Sequence, residues 1–370
     1  MKIEKKTKIF VCCTEQSGEN ICFNLLNKFN DEYIIDGVCG HKSSALIRKK
    51  YYDISEFKSI GIFEIIFSLL KYIKMINFLS KKIIKNNYDL IICIDSPDFN
   101  YNLIKKIRNE GFKNKVIQIV APTVWAWRSG RAHKFSKIYD EIFTLFDFEK
   151  KYFEKYGLKV TYIGHPIFYI KSINSNKTKK LIAFLPGSRK NEVKKLFIYF
   201  ECLYKYILSN NLNFDIFIPT LPHLDSLIKK MTSEWKIKTI ITSNFKESEM
   251  YFNHVFISVT CSGTASLEIS KRLIPQLVIY KLNFFTVLFF RTFIRVKYAN
   301  LLNIVKDEMI IPELVNFKLN KKNLIIYFEK YLIKKNNREN QVNKLKIIMP
   351  YFDTIKDPYK ICIERIKKIL

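Results

Sequence analysis

The sequence predicts an α/β protein built from two Rossmann-like lobes, each a doubly wound parallel sheet. Short apolar runs alternate with longer helix-like segments, which is the pattern of a parallel sheet covered by helices. This alternation starts afresh after the polar link Lys171–Lys180, and each series has a glycine-containing turn after its first strand. A chain of 370 residues is also long for one core. We therefore expect two domains, with a cleft at the carboxyl ends of the strands as the binding site.

The first lobe is predicted to cover residues 1–170 and the second residues 179–345. Strands of the first lobe are predicted at Lys8–Cys12, Tyr33–Val38, Leu90–Ile94, Val116–Val120 and Glu141–Thr144. Helices are predicted between them at Asn20–Phe29, Phe63–Ile84 and Tyr101–Glu110. Strands of the second lobe are predicted at Leu181–Leu185, Phe214–Ile218, Thr239–Thr242, Val255–Val259 and Gln276–Tyr280.

The charge balance predicts anionic partners. The chain has 63 basic and 34 acidic residues, a formal net charge of +29, which attracts nucleic acid, phospholipid headgroups or phosphorylated metabolites. The lysines are spread along a chain that is rich in Lys, Ile and Asn throughout, so compositional bias explains part of this charge. The sequence shows no nucleic-acid-binding module with clustered basic residues and aromatic stacking platforms, and we expect no nucleic acid as a partner.

Cysteine usage and hydropathy predict a cytoplasmic protein. The eight cysteines include no C-x-x-C pair and mostly lie within apolar runs, which favours reduced thiols over disulfides or a zinc site. The sequence shows no signal-peptide pattern and no apolar run of the ~18–20 residues that span a bilayer. Two segments, Gly61–Lys82 and Leu282–Tyr298, mix large apolar side chains with cations and almost no acids, as interfacial membrane helices do. The alternative for both is an amphipathic helix that packs against the core.

Polar residues follow two strands of the first lobe. Ser17 and Gly18 open a helix after the first strand, where backbone N–H groups can bind an anion or a sugar oxygen, and Glu15 lies in the same loop. Asp95 and Asp98 follow the strand that ends at Ile94. A carboxylate at this position can act as general base toward a sugar hydroxyl, and Asp98 is the favoured base. The alternative is that one of these two carboxylates caps the next helix.

An aromatic and cationic motif follows a third strand. It reads Val-Trp-Ala-Trp-Arg over residues 124–128 and contains two of the three tryptophans of the chain. Trp127 and Arg128 suit a substrate that is both apolar and anionic. His165, at the end of the first lobe, is either an interdomain hydrogen-bonding group or a structural histidine.

The second lobe has two turns that suit phosphate. Ser188 and Arg189 follow its first strand, and an arginine fork pairs well with phosphate oxygens. The segment Ser262-Gly263-Thr264 opens a helix whose N-terminus can bind a diphosphate, and Glu268 one turn later can accept hydrogen bonds from ribose hydroxyls. The Walker pattern is absent from the sequence, and so is a D-x-D metal motif. These features favour a nucleotide diphosphate bound without a divalent ion.

These motifs resemble those of the lipid-A-disaccharide synthase family, in order and approximate spacing. The matching segments are residues 94–100 (Ile-Asp-Ser-Pro-Asp-Phe-Asn), 124–128, 164–166 (Gly-His-Pro), 185–193, 262–268 and 303–314. The resemblance covers residues 8 to 317, and the Trp-Ala-Trp-Arg motif is its most specific part. The sequence departs from the family pattern where Thr14 replaces a glycine, Glu19 an aspartate and Leu302 a proline.

The resemblance implies a GT-B hexosyltransferase that inverts the anomeric centre, with helices in 346–370 crossing back to the first lobe. It would join UDP-2,3-diacylglucosamine to 2,3-diacylglucosamine 1-phosphate (lipid X), without a cofactor or metal, at the anionic cytoplasmic face of the inner membrane. Asp98 or Glu15 would be the base. The implied substrate and nucleotide contacts are Ser17, Gly18, Trp127, Arg128, Ser188, Arg189, Ser262, Gly263, Thr264, Glu268 and Asn303. The sequence leaves homodimer formation open.

Two alternatives are kept at this point. One is another GT-B enzyme, either a transferase for a different lipid-linked sugar or a UDP-sugar 2-epimerase. The other, from a different class, is a basic nucleic-acid-binding protein, for which the charge of +29 is the argument.

Overall fold

The computed structural model describes residues 6–57, 64–169, 181–261, 263–281, 297–352 and 356–370. The chain divides into two compact units. The first contains the described residues up to Tyr169 together with the last helix, and the second contains the described residues from Leu181 to Phe352. Each unit is a parallel sheet with helices on its faces, so the predicted α/β class of two doubly wound sheets is confirmed.

The described part of the first unit contains a seven-stranded sheet in the order β3-β2-β1-β4-β5-β6-β7. Its strands are β1 (Thr7–Cys13), β2 (Tyr33–Cys39), β3 (Lys49–Asp53), β4 (Leu90–Ile94), β5 (Lys115–Ile119), β6 (Glu141–Thr144) and β7 (Lys159–Tyr162). Its helices are α1 (Gln16–Leu26), α2 (Glu64–Asn86), α3 (Pro97–Asn109), α4 (Arg131–Ser136), α5 (Lys150–Glu154) and α6 (Pro166–Tyr169). Chain order reverses between β1 and β4, and ligands of such sheets bind outside the strand ends at this point.

The register of the parallel pair β1 and β4 places the loops that follow these strands next to each other. Cys13 pairs with Ile94, so both strands end at the same level of the sheet. Every residue of β4 is buried, and its continuous apolar run is what a strand covered by helices on both faces requires.

The described part of the second unit contains a six-stranded sheet in the order β10-β9-β8-β11-β12-β13. Its strands are β8 (Leu181–Leu185), β9 (Asp215–Pro219), β10 (Thr239–Thr242), β11 (Val255–Cys261), β12 (Gln276–Tyr280) and β13 (Glu313–Val315). Its helices are α7 (Lys190–Ser209), α8 (Asp225–Met231), α9 (Phe245–Phe252), α10 (Thr264–Lys271), α11 (Leu301–Lys306), α12 (Lys321–Phe328) and α13 (Lys335–Ile348). Leu185 pairs with Thr260, so the turns after β8 and β11 are neighbours at the second switch point.

The last helix, α14 (Pro358–Ile369), belongs to the first unit. Arg365 forms a two-pronged ion pair with Glu141 of β6, through Nε–Oε1 and Nη2–Oε2 distances of 2.8 and 2.7 Å. Lys28 pairs with Asp357 at the start of the helix at 3.3 Å. The helix before it, α13, lies in the second unit, whose described residues extend to Phe352, and the next described residues, from 356 onward, belong to the first unit.

Ten predicted strands are present, most within two residues of the predicted limits, and β3, β7 and β13 were not predicted. Helix α2 matches the predicted helix 63–84, whereas the second candidate interfacial segment falls mostly on residues 282–296, outside the described residues. Among the described residues, none of the helices combines the length and the hydropathy that crossing a membrane requires.

Candidate active site

Gly18 allows the start of α1 to lie against the ends of β1 and β4. A Cβ at this position would be 2.9 Å from Cys13 Sγ and 3.1 Å from Asp95 Cβ, so a larger residue would push the helix away. The Gly18 N–H donates to the Glu15 carbonyl at 3.2 Å. Ser17 Oγ donates to Asp95 Oδ2 at 2.5 Å. The structure thus places the predicted Glu15–Gly18 turn beside the aspartate loop.

The turn that follows β4 has an uncommon backbone conformation. Asp95 and Ser96 both adopt left-handed φ angles, 53° and 48°, which cost energy in residues other than glycine. The Asn100 side-chain amide donates to the Asp95 carbonyl at 2.9 Å and the Gln118 amide donates to it at 3.0 Å, and these bonds hold the turn. The N-cap of α3 is Ser96, so neither aspartate is the cap residue of this helix. Asp98 lies in its first turn with a side chain that is 70% exposed.

Two arginines surround the Asp98 carboxylate. It pairs with Arg131 at the start of α4 and with Arg128 at 3.4 Å. Both guanidinium groups also lie over the Trp127 ring, with 4.3 Å to its centroid for Arg128 and 5.3 Å for Arg131. The structure therefore brings Asp98, Trp127 and Arg128 together. Arg131 was not among the predicted substrate contacts, although it lies three residues after Arg128.

Trp125 is held by a buried carboxylate that sequence reasoning missed. Its indole N–H donates to Glu149 Oε1 at 3.2 Å, and Glu149 Oε2 accepts from the Phe146 N–H at 3.1 Å. Burial raises the pKa of Glu149 to about 7, while these donors act in the opposite direction.

Burial lowers the pKa of His165 to about 4, and its Nδ1 accepts from the Ile167 N–H at 3.1 Å. This favours the structural role for His165.

In the second unit, Gly187 and Glu192 shape the turn after β8. Gly187 has a φ of 110°, and a Cβ there would overlap the Glu192 carboxylate. Glu192 Oε2 accepts from the Ser188 N–H at 3.2 Å. Burial raises the pKa of the Cys261 thiol at the end of β11, and a hydrogen bond to Glu192 raises it further. Glu192 therefore links the turns after β8 and β11, a role that was not predicted from the sequence. Arg189 is the exposed N-cap residue of α7.

The turn before α10 requires a glycine. Gly263 has φ 128° and ψ −154°, a conformation that other residues rarely adopt, and Thr264 begins the helix. Ser262 lies outside the described residues. Burial raises the pKa of Glu268, which pairs with Arg272 at 3.0 Å, and Arg272 also pairs with Glu249.

The structure places Asn303 inside its own loop. This residue is fully buried. Its Oδ1 accepts from the backbone N–H groups of Ile310 and Ile311, both at 2.9 Å, and its Nδ2 donates to the Ile311 carbonyl at 2.7 Å. A further bond to Glu313 Oε2 measures 3.3 Å. Because the amide makes these bonds within its own loop, the geometry favours a structural role for Asn303 over contact with a ligand.

Comparison with known proteins identifies the family. The model of the family described as lipid-A-disaccharide synthetase matches residues 9–359. The lipid-A-disaccharide synthase of Rickettsia prowazekii (strain Madrid E) is 33% identical, and the match covers 98% of this chain and 99% of that protein. The chain belongs to the lipid-A-disaccharide synthetase family. It is a glycosyltransferase of lipid A biosynthesis, and the resemblance predicted from its motifs is confirmed.

Solved structures agree on the fold. UDP-GlcNAc 2-epimerase from Neisseria meningitidis, bound to UDP-GlcNAc, superposes with a TM-score of 0.63 at 14% identity and covers 98% of this chain and 100% of that one. A glycosyltransferase from Rickettsia africae has a TM-score of 0.54 at 12% identity, with 99% of both chains covered. At these identities the likeness concerns the fold alone, and it confirms the predicted GT-B class. The family match favours the glycosyltransferase over the epimerase alternative.

Proposed function

We propose that this protein condenses UDP-2,3-diacylglucosamine with lipid X to give the β-1,6-linked disaccharide 1-phosphate and UDP. The observation that carries the proposal is the cluster of Asp98, Arg128, Arg131 and Trp127 on a chain of this family. The cluster offers a carboxylate that can bind a sugar hydroxyl, cations that can bind a phosphate, and an aromatic surface that can pack against an acylated sugar. The first unit would hold the acceptor and the second the UDP-sugar.

Asp98 is the proposed general base. It would accept the proton of the acceptor 6-hydroxyl while that oxygen attacks the anomeric carbon of the donor from the side opposite UDP, with inversion. Arg128 and Arg131 pair with Asp98 in this structure. The 1-phosphate of lipid X is a stronger partner for two arginines than one carboxylate, because it offers three oxygens and more charge. Acceptor binding would thus draw the arginines to the phosphate and free Asp98. Glu15, in the neighbouring turn, is the alternative base.

The donor would be bound at the switch point of the second unit. Ser188 and Arg189 after β8 and the segment Ser262-Gly263-Thr264 before α10 would hold the diphosphate, with Glu268 near the ribose. As UDP leaves, negative charge develops on the diphosphate. A guanidinium and the N-terminus of α10 would stabilise this charge. We propose that the reaction needs neither a metal nor a cofactor.

Release of UDP tests the proposal. With UDP-2,3-diacylglucosamine in detergent micelles and no added divalent metal, we expect UDP release that depends on lipid X and yields the phosphorylated disaccharide. Asp98→Asn should reduce turnover by about 10²–10⁴-fold, the usual contribution of a general base, and leave UDP binding unchanged. Glu15→Gln is the matched variant. Loss of turnover in Glu15→Gln alone would make Glu15 the base, and no release by folded wild-type protein would contradict the synthase assignment.

We also propose that the protein binds the anionic cytoplasmic face of the inner membrane through α2. Leu69, Leu70 and Ile73 of this helix are 58%, 53% and 46% exposed, and Lys71 and Lys74 lie among them. Apolar side chains next to cations suit a surface of anionic lipid headgroups.

Sedimentation with vesicles tests the membrane proposal. Leu70→Asp should reduce binding to vesicles that contain phosphatidylglycerol. Met250→Asp, a change at a residue of α9 that is 67% exposed, should not. Equal binding by both variants would place the membrane contact elsewhere. Gel filtration of the same samples would show whether a homodimer forms, and salt-dependent binding to DNA without transferase activity would contradict the whole proposal.

A further inference from the structure

The buried carboxylate of Glu149 anchors the half-buried Trp125 of the tryptophan motif. The Glu149 residue is 4% exposed, and its two carboxylate oxygens accept different N–H groups, Oε1 that of the Trp125 indole and Oε2 that of the Phe146 backbone. The Trp125 ring also contacts the edge of Phe148, with 5.6 Å between centroids. The anchor joins the loop after β5 to the turn after β6.

The loop between Trp125 and Arg131 is short and internally bonded. The N–H groups of Ala126 and Trp127 donate to the Thr123 carbonyl at 3.1 and 3.3 Å, and the Arg131 N–H donates to the Arg128 carbonyl at 2.9 Å. Because these turns leave little freedom between the two tryptophans, fixing Trp125 also limits where Trp127 and the arginines beside it can lie.

We propose that Glu149 is a positioning residue for the transfer reaction, and that by holding Trp125 it sets the place of Arg128 and Arg131 around Asp98. The inference rests on the proposed function. Glu149 itself is buried below the loop and acts on the reaction through Trp125.

A carboxylate suits this anchor better than an amide. An ionised carboxylate accepts on both oxygens, whereas glutamine would turn an NH₂ group toward one of the two N–H donors. Burial raises the pKa of Glu149 to about 7, so the anchor is expected to weaken as the pH falls through neutrality. Other ionisable groups on the surrounding segments include Asp147, Lys150 and Lys151 next to Glu149 in the chain, Arg128 and Arg131 on the loop, and His165 beyond Phe146. Of these, His165 stays neutral across this range, because burial lowers its pKa to about 4.

Two variants separate the bond from the packing. Trp125→Phe removes the N–H donor and keeps an aromatic ring, and Glu149→Gln removes the charge and keeps one acceptor. Both should lower kcat/KM for lipid X by about 10- to 100-fold, the usual range when a supporting contact is lost. The KM for the UDP-sugar should stay at the wild-type value, because the second unit is unchanged. Trp235→Phe, a substitution in the second unit, is the matched control and should keep wild-type kinetics.

Tryptophan fluorescence gives a readout that a purely structural residue would not change. Titration of the wild type from pH 5 to 9 should show a transition near pH 7, present in Trp235→Phe and absent from Trp125→Phe and Glu149→Gln. Wild-type kinetics for lipid X in both folded variants, or a wild type without the transition, would overturn the inference. A wild-type protein that transfers no sugar would instead contradict the proposed function, and the inference would fall with it.

Discussion

Arg365→Ala removes the cation that neutralises a carboxylate beneath the last helix. The Glu141 side chain is 3% exposed, and Arg365 contacts both of its oxygens. Removing one partner of a buried ion pair costs about 3–5 kcal/mol, because the other charge stays buried. Two features make the energetic cost smaller here. The Arg365 side chain is 21% exposed, so water can reach the carboxylate once the arginine is removed. The Thr161 hydroxyl also still donates to Glu141. We expect a loss of about 2–4 kcal/mol in the unfolding free energy of the first unit.

Lys28→Ala is the matched control, because Lys28 attaches the same helix through Asp357. Its side chain is 40% exposed, and an exposed pair contributes about 0–1 kcal/mol. Urea unfolding of both variants in a Trp235→Phe background would follow the first unit alone, because the remaining tryptophans, Trp125 and Trp127, both belong to it. Equal losses in the two variants would refute the reasoning from burial.

A second substitution checks the mechanism. Glu141→Gln removes the uncompensated charge in the Arg365→Ala background, and its side-chain oxygen can still accept from Thr161. The double variant should therefore be more stable than Arg365→Ala alone, with an interaction energy above about 0.5 kcal/mol in the double-mutant cycle. A double variant less stable than Arg365→Ala would show that the loss arises from packing and not from charge.

Two further predictions follow from the backbone and the buried carboxylate. Gly187→Ala should weaken UDP binding about tenfold in calorimetry, since a positive φ costs about 1–3 kcal/mol in other residues and the new Cβ overlaps a carboxylate. Gly111→Ala, with φ 92° and no atom within 4 Å, should leave UDP binding unchanged, and equal weakening in both would refute the argument. Burial raises the pKa of the Glu149 carboxyl from 4.5 to about 7. Between these two pH values the folded state therefore keeps a proton that the unfolded chain has released. Stability should fall as pH rises through this range, by no more than about 3 kcal/mol, and Glu149→Gln should flatten this dependence in denaturation at pH 5 and pH 8.

The predictable part of the fold is its interior. Strands such as β4 and β8 are buried along their whole length, so their sequences are apolar runs that stand out against the helices. The strands that were missed lie at sheet edges. Strand β3 reads Lys-Lys-Tyr-Tyr-Asp and is partly exposed, and β13 has three residues. Edge strands bury less surface, so their sequences carry less of the apolar signal on which such predictions depend.

The sequence could point to a candidate site residue where the short segment around that residue contains a recognisable motif. The glycine turns and Asp98 follow predicted strands, and the parallel topology brings strand ends together. Glu149 could not be found in this way, because its partner Trp125 lies 24 positions away and nothing local marks the contact. Asn303 shows the opposite case. The resemblance marked it as a substrate contact, and the hydrogen bonds of its amide show a second role, which is to hold its loop.

The fold does not decide between transfer and epimerisation, since the UDP-GlcNAc 2-epimerase of Neisseria meningitidis shares it at 14% identity. The chemistry that separates them must lie in side chains, and we propose that those of the first unit distinguish the two reactions. An enzyme that acts on a single sugar nucleotide needs no acceptor, whereas a transferase must bind a second substrate and deprotonate it. The aromatic and cationic loop around Asp98 would meet that second requirement, because it offers a carboxylate, cations and an apolar ring on one surface. The same surface therefore supports the acylated, phosphorylated acceptor that we propose for this member of the family.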